Sequence, residues 1–409
     1  MQEKNIKTLS FGCRLNSLET EKIQTMLAPV LSCAIIVNTC AVTAEAERQS
    51  GQAVRKLARE NPTAPIFVTG CAATRNPGIF AEIPNTIIIE NKYKLNLDSY
   101  SVAFVNSPCY KTDPKIEKFK NHESKLSKKF IQIQNGCNHS CTYCVTRLLR
   151  GKSESFSYET ILTEAKNAVN SGFFEIVLTG VDIASYAFKN SDSLILLSDV
   201  CEKLLRDVPQ IQRLRLSSLD PASPEILKII ELIKTNSKMM PHLHLSMQSG
   251  SDTILRTMNR RHNAQMVREI MSERSISFSW DIICGFPGET DQLFEETKNL
   301  ATELKPIKIH AFPFSPRPDT VAATMPEQID RNMAKKRVKI MNEISDINKL
   351  EFMKSKINTI SNVLVEEKNI ARTPDDIEVQ IDGDKIKSKT ICNVKILGIS
   401  DLHFVGKIC

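Results

Sequence analysis

Three times near its start the chain runs through a short apolar stretch, passes a small or polar residue and stops on cysteine. The stretches are "IKTLSFGC" to Cys13, "AIIVNTC" to Cys40 and "IFVTGC" to Cys71. Runs this short, rich in Ile, Val and Phe, read as buried strands. Helical patterns separate them, at about Leu18 to Val30 and Glu45 to Arg59. Strands alternating with helices imply a parallel sheet, and the ligand crevice of such a sheet lies outside the carboxyl ends of its strands. Each cysteine stands just beyond such an end. One occurrence would mean an inert buried thiol. Three identical placements point to a shared metal site.

A second set follows the strand-like "FIQIQNG": Cys137, Cys141 and Cys144, spaced Cys-x3-Cys-x2-Cys. A closed structural site takes four protein ligands, and an open position marks a catalytic one. Three thiolates suit a four-iron cluster with one iron left open. His139 would instead complete a zinc site, and that structural alternative stays open on the residues alone. The start of the chain lacks a signal-peptide core, and no apolar run approaches the ~18 residues of a membrane span. The expectation is a cytoplasmic protein with no membrane segment, whose twelve cysteines serve metals or catalysis more than disulfides. Most of the remaining cysteines, Cys33, Cys109, Cys201, Cys284, Cys392 and Cys409, read as small hydrophobes.

From Phe130 to about Lys356, strand and helix patterns alternate six times, through "FIQIQ", "FEIVLTG", "RLRLSS", "HLHLSMQ", "SWDIICG" and "IKIHAFPFS". Six units are too few for the eight-unit barrel but suffice for an open, partial one with its reactive groups at the strands' carboxyl ends. The tail changes character: "NVLVEE", "IEVQI", "NVKILGI" and "HFVGKI" are short strands between turns, which suggests a small β-barrel. Such modules bind nucleic acids, or cap and dimerise enzymes. Asn106 to Lys129, with Pro108, Pro114 and many lysines, reads as a connector. The expected fold class is α/β, divided into residues 1–106, a linker at 107–128, a core at 129–357 and a terminal barrel at 358–409. A net charge of +7 is compatible with a phosphate-rich partner, and equally with an ordinary basic enzyme.

"CNHSCTYC" at the end of a barrel's first strand resembles the radical S-adenosylmethionine (radical SAM) enzymes. In that family the cofactor's amino and carboxylate groups take the fourth iron. The reduced cluster then cleaves the cofactor to methionine and a 5′-deoxyadenosyl radical. "FGCRLN", "NTCAVT" and "VTGCAA" resemble the three-cysteine N-terminal domain of the methylthiotransferases, which holds a second cluster. "LTGVDI", "LRLSSLDP", "HLHLSMQSGSDTILRTMNRR", "DIICGFPGET" and "HAFPFSPRPDTVAATMPEQI" extend the resemblance over nearly the whole chain.

The resemblance implies two [4Fe-4S] clusters, one on Cys13, Cys40 and Cys71 and one on Cys137, Cys141 and Cys144. It also implies S-adenosyl-L-methionine, a tRNA substrate, an electron donor and a TRAM-like RNA-binding terminal barrel. Tyr143, Gly180, Asp182, Ser217, Ser218, Gln248, Gly285 and Glu289 would line the cofactor site. The branch it is most similar to methylthiolates C2 of N6-threonylcarbamoyladenosine at position 37 of tRNA, beside the anticodon. That C–H is not acidic, so a radical must abstract its hydrogen. Isopentenyladenosine in tRNA, an aspartate of a ribosomal protein, and a non-catalytic zinc RNA-binding role are the alternatives. Three departures stand out: Glu154 and Phe156 occur where the family has basic residues, Asp319 replaces a usual glycine, and the terminal barrel is short.

Overall fold

The computed structural model describes residues 5–31, 33–103, 127–191 and 193–409. Of the expected connector, residues 107–126 lie outside them. The chain divides into two compact units. The first comprises Met1–Ser124, Gly136–Lys152 and Ser315–Ala323; the second comprises Lys125–Asn135, Ser153–Phe314 and Thr324–Cys409. The loop of the second cysteine set, Gly136–Lys152, thus groups with the N-terminal residues.

In the first unit, β1 (Asn5–Ser10), β2 (Cys33–Thr39), β3 (Ile66–Gly70) and β4 (Thr86–Ile88) form one parallel sheet in that order. Side chains alternate across a strand, so a sheet covered on both faces needs apolar residues throughout. In β2, Ile36 packs with Phe67 and with Ile23 and Leu27 of α1 (Arg14–Leu27). Ile35 and Val37 face the other way, onto Val54 and Ala58 of α2 (Ala44–Glu60). Each such side chain contributes about 1.5–3 kcal/mol when fully buried. The hydroxyl of Thr43 accepts the Ala46 N–H at 3.1 Å and starts α2, with Glu45 and Glu47 in its first turn. The α1 helix begins earlier than its apolar pattern suggests, directly after Cys13, and stops at Leu27, where Pro29 has no N–H to continue the helical hydrogen bonds. Cys33 is disulfide-bonded, an exception to the small-hydrophobe reading given to most of the remaining cysteines.

Among its described residues, the core of the second unit is built on six parallel strands. Lys129–Gln132, Glu175–Thr179 and Arg213–Leu216 pair in sequence, as do His242–Gln248, Ser277–Cys284 and Lys308–Pro313. Parallel bridges Leu214–Met239 and Leu219–Leu245 join the two sets. This is the partial (β/α)6 barrel, with Ile131, Leu178, Leu214, Leu243 and Trp280 in one continuous core. A 25-residue helix, Arg331–Ser355, leads to a closed five-stranded barrel built from Ile360–Glu367, Ile370–Arg372, Glu378–Asp382, Ile391–Ser400 and His403–Ile408. Val363, Val365, Val379, Ile381, Val394 and Phe404 fill it. Buried Arg213 and Arg215 pair with Glu175 at 2.7 and 3.0 Å. They also donate to the carbonyls of Arg372, Thr373 and Pro374, at 3.1, 2.9 and 3.0 Å. The two barrels are latched together by these bonds. Among the described residues no helix is long and apolar enough to cross a membrane.

Candidate active site

The sheet of the first unit delivers its cysteines as the strand–helix pattern predicts. Cys13 precedes α1, Cys40 follows β2, and Cys71 opens the short helix α3 (Cys71–Arg75). Helix N-termini favour the thiolate. Gly12 has φ +84°, and a Cβ there would stand 2.5 Å from the Cys40 sulfur, so the chain before Cys13 passes directly against the second cysteine. Burial pushes the Cys40 thiol up to about 11, and neighbouring Cys71 and Cys13 push the same way. A thiol raised in this way is held as thiolate by a cation bound beside it. The Val42 N–H donates to the Cys40 sulfur at 3.5 Å, and Asn91 Nδ2 to the Cys71 sulfur at 3.5 Å.

The loop of the second triad belongs to the same unit. Gly136, at φ +68°, lies where a Cβ would run into the Lys152 carbonyl, and the Cys137 N–H donates to the Gly151 carbonyl at 3.1 Å. These contacts close the loop at its base. Inside it, the His139 N–H donates to the Cys137 sulfur and the Thr146 N–H to the Cys144 sulfur, both at 3.4 Å. Burial raises the Cys144 thiol. Half-buried Tyr143 lies between Cys141 and Cys144. The Ala322 N–H donates to the Thr142 carbonyl at 2.8 Å, so the segment Ser315–Ala323 lies along the loop. Its Arg317 is paired with Glu47, which also takes Arg75 at 2.9 Å. All six thiols are free of disulfides. Two sets of three soft sulfur donors, met by N–H groups, fit iron–sulfur clusters.

In the second unit the remaining predicted residues stand at the carboxyl ends of the barrel strands. Gly180 follows the second strand, where a Cβ would meet the Gln134 carbonyl at 2.7 Å. Gln134 Oε1 accepts the N–H groups of Val181 and Asp182 at 3.0 and 2.8 Å and fixes that turn. Asp182 in turn accepts the Ser185 hydroxyl at 2.7 Å. Ser217 and Ser218 follow the third strand, half-buried. Gln248 ends the fourth strand at φ +67°, beside a break in register with the fifth. A non-glycine residue held there stores strain of the kind that collects at ligand sites. Gly285, at φ +76°, would meet Ala334 at 2.5 Å if it carried a Cβ. Glu289 turns inward: its carboxylate accepts the Gly285 N–H at 2.6 Å and Arg337 at 2.7 Å, and burial raises its pKa. It braces the glycine loop.

Two family profiles match the chain: "Radical SAM superfamily" over residues 131–301 and "Uncharacterized protein family UPF0004" over residues 5–89. A threonylcarbamoyladenosine tRNA methylthiotransferase MtaB from Rickettsia prowazekii is 39% identical over 388 residues, 91% of this chain and 90% of that one. The chain belongs to the radical S-adenosylmethionine methylthiotransferases. A further relative, a tRNA-2-methylthio-N(6)-dimethylallyladenosine synthase from Pelagibacter ubique, is 30% identical and matches 99% of this chain and 94% of its own. Among solved structures, the radical S-adenosylmethionine methyltransferase TsrM from Kitasatospora setae, with cobalamin and a [4Fe-4S] cluster bound, superposes with TM-score 0.54. It is 12% identical and covers 71% of this chain and 65% of that one. That likeness concerns the fold alone.

This methylthiotransferase is a transferase enzyme, and its sites contain residues that the sequence reading passed over. Glu19 of α1 is buried between Arg150, at 2.8 Å, and Lys94, at 2.6 Å. Burial alone would raise the Glu19 pKa; Lys94 and Arg150 overcome it and hold the carboxylate below its usual range. The one available signal was in α1, where Asn16, Glu19 and Thr20 share the buried stripe with Ile23 and Leu27. Lys94 gave none, because a lysine in a loop reads as solvent-facing.

Proposed function

We propose that this enzyme methylthiolates C2 of N6-threonylcarbamoyladenosine at position 37 of tRNA. The observation that carries the reading is the gathering of two cysteine triads, all free thiols, in a single compact unit. Cys137, Cys141 and Cys144 hold the cluster that binds S-adenosylmethionine; Cys13, Cys40 and Cys71 hold the second cluster. When bound, these groups supply the electron, the adenosyl radical and the sulfur. The chain supplies position: Gly180, Asp182, Ser217, Ser218, Gln248, Gly285 and Tyr143 contact the cofactor, and Glu289 keeps the Gly285 turn in shape. Residues 1–106 carry the second cluster, 129–357 form the catalytic core, and the barrel at 358–409 binds RNA. An electron donor in the cytoplasm completes the cycle.

The base assignment is supported by the 39% identical relative, which bears the threonylcarbamoyladenosine name. The 30% identical relative bears a dimethylallyladenosine name, so that nucleoside is the second reading. The test is expression in a host lacking its own threonylcarbamoyladenosine methylthiotransferase, followed by mass spectrometry of digested tRNA. The 2-methylthio derivative of threonylcarbamoyladenosine is expected. Its absence, alongside a new 2-methylthio-dimethylallyladenosine signal in a host lacking that synthase, would establish the second reading instead.

A further inference from the structure

We propose that Arg150 is a positioning residue serving both triads: it pins the loop of Cys137, Cys141 and Cys144 to the N-terminal sheet and supplies positive charge that offsets the cluster on Cys13, Cys40 and Cys71. The inference rests on the reading that those thiols hold iron–sulfur clusters.

Arg150 ends the short helix Thr146–Arg150 that follows Cys144. Its guanidinium donates to both Glu19 oxygens, at 2.8 and 3.0 Å, and to Asn16 Oδ1 at 2.7 Å. Such a fork fixes orientation as well as distance. Asn16 passes the grip on: its Nδ2 donates to the carbonyls of Phe11 and Thr39, at 2.9 and 3.1 Å, in the backbone leading to Cys13 and Cys40. On the other side, Lys94 bonds Glu19 at 2.6 Å and Asn91 Oδ1 at 2.8 Å, while Asn91 Nδ2 reaches the Cys71 sulfur at 3.5 Å and the Leu149 carbonyl at 3.2 Å. Through Asn16 on one side, and through Glu19, Lys94 and Asn91 in turn on the other, one residue therefore reaches the neighbourhood of every N-terminal cysteine.

The charges do not cancel within this group. Glu19 faces two cations, Arg150 and Lys94, with side chains only 2%, 4% and 3% exposed. A buried positive charge is stabilised by a nearby anion, and Asn91, bonded to both Lys94 and the Cys71 sulfur, brings that sulfur beside this group. Burial lowers the Arg150 pKa, Glu19 raises it more, and Cys71 and Cys13 add to the rise. A dicationic four-iron core on three thiolates carries one net negative charge, the complement of the excess. Removing Arg150 would therefore oppose every further negative charge on that cluster, whether an electron or an anionic sulfur ligand.

The test uses the full-length enzyme with both clusters, in an electron-paramagnetic-resonance redox titration. The N-terminal cluster's signal is the one missing in Cys40→Ala. Arg150→Met should move its midpoint to more negative potential and weaken methanethiolate binding by about tenfold, the scale of one partly screened charge at close range. Glu19→Gln should move the midpoint the opposite way, because it deletes the anion and leaves the cations. A merely structural role would shift both variants in the same direction. An unmoved midpoint in Arg150→Met with both clusters loaded overturns the inference alone. Should Arg150→Met fail to load, Glu19→Gln decides: a positive shift supports it, and no shift or a negative one overturns it. A wild-type chain holding zinc or one cluster overturns the functional reading and this inference with it.

Discussion

Replacing Gly12 by alanine should remove one cluster and leave the fold. The added methyl would sit 2.5 Å from the Cys40 sulfur at a backbone φ of +84°. The left-handed conformation costs an alanine about 1 kcal/mol. The contact is worse: non-bonded atoms settle at about 3.5–4.0 Å, so Cys40 must retreat by about 1 Å. Metal ligands tolerate only about ±0.2 Å. Overpacking of this kind costs about 1–3 kcal/mol, which an exposed turn at the edge of a well-packed sheet can absorb. The assay is iron and acid-labile sulfide per chain, together with S-adenosylmethionine cleavage and the melting curve of the apoprotein. Gly12→Ala should keep a melting curve close to wild type, fall to about four irons per chain from about eight, and still cleave S-adenosylmethionine. If it loads both clusters with unchanged spectra, the close approach of Gly12 to Cys40 does not matter for ligation and the reasoning fails.

Changing Cys137, Cys141 or Cys144 to alanine should abolish S-adenosylmethionine cleavage, whereas changing Cys13, Cys40 or Cys71 should spare cleavage and stop formation of the methylthiolated nucleoside; both are read by chromatography of the products. His242 is buried and held between the Ser277 and Ser279 hydroxyls at 2.8 and 3.0 Å, and burial lowers its pKa to about 3. The folded state then binds fewer protons than the unfolded state between that value and the ordinary ~6.5, so its contribution is whole above ~6.5 and is lost toward pH 3, by at most about 1.4 kcal/mol per unit. Urea midpoints between pH 6.5 and 4.5 should fall less steeply in His242→Gln than in wild type; equal slopes would refute this. Asp319 sits exposed at φ +72°. Asp319→Gly should leave stability within about 0.5 kcal/mol, while β-branched Asp319→Val should lose about 1 kcal/mol or more by the same denaturation assay.

Asp319 also shows what the sequence could and could not convey. The residue stood out as a departure from the family's glycine, and the structure supplies the reason that glycine is usual there: the turn demands a left-handed residue, which aspartate tolerates. The strands were legible because a doubly covered sheet forces continuous apolar runs, and the cysteines because each terminates one. The boundary of α1 was not, since Arg14, Asn16 and Ser17 surround the lone apolar Leu15 in its first turn and mask the apolar pattern there. The buried charges were least legible. Glu19 meets Lys94 across 75 residues and Arg150 across 131, and no local pattern announces a salt bridge between such distant positions. The inward turn of Glu289 was hidden for the same reason, because its partner Arg337 lies 48 residues away.

The arginine latch between the two barrels bears on how the terminal one can be studied. Truncating the chain before Ile360 would withdraw the carbonyls of Arg372, Thr373 and Pro374 and leave Arg213 and Arg215 to share one carboxylate. Such a deletion mutant would suffer in its catalytic core as well as in whatever the missing module binds. Loss of activity in it would be uninformative about RNA. Point changes on the outer face of the terminal barrel, which leave the latch closed, are the variants from which a role in substrate capture can be read.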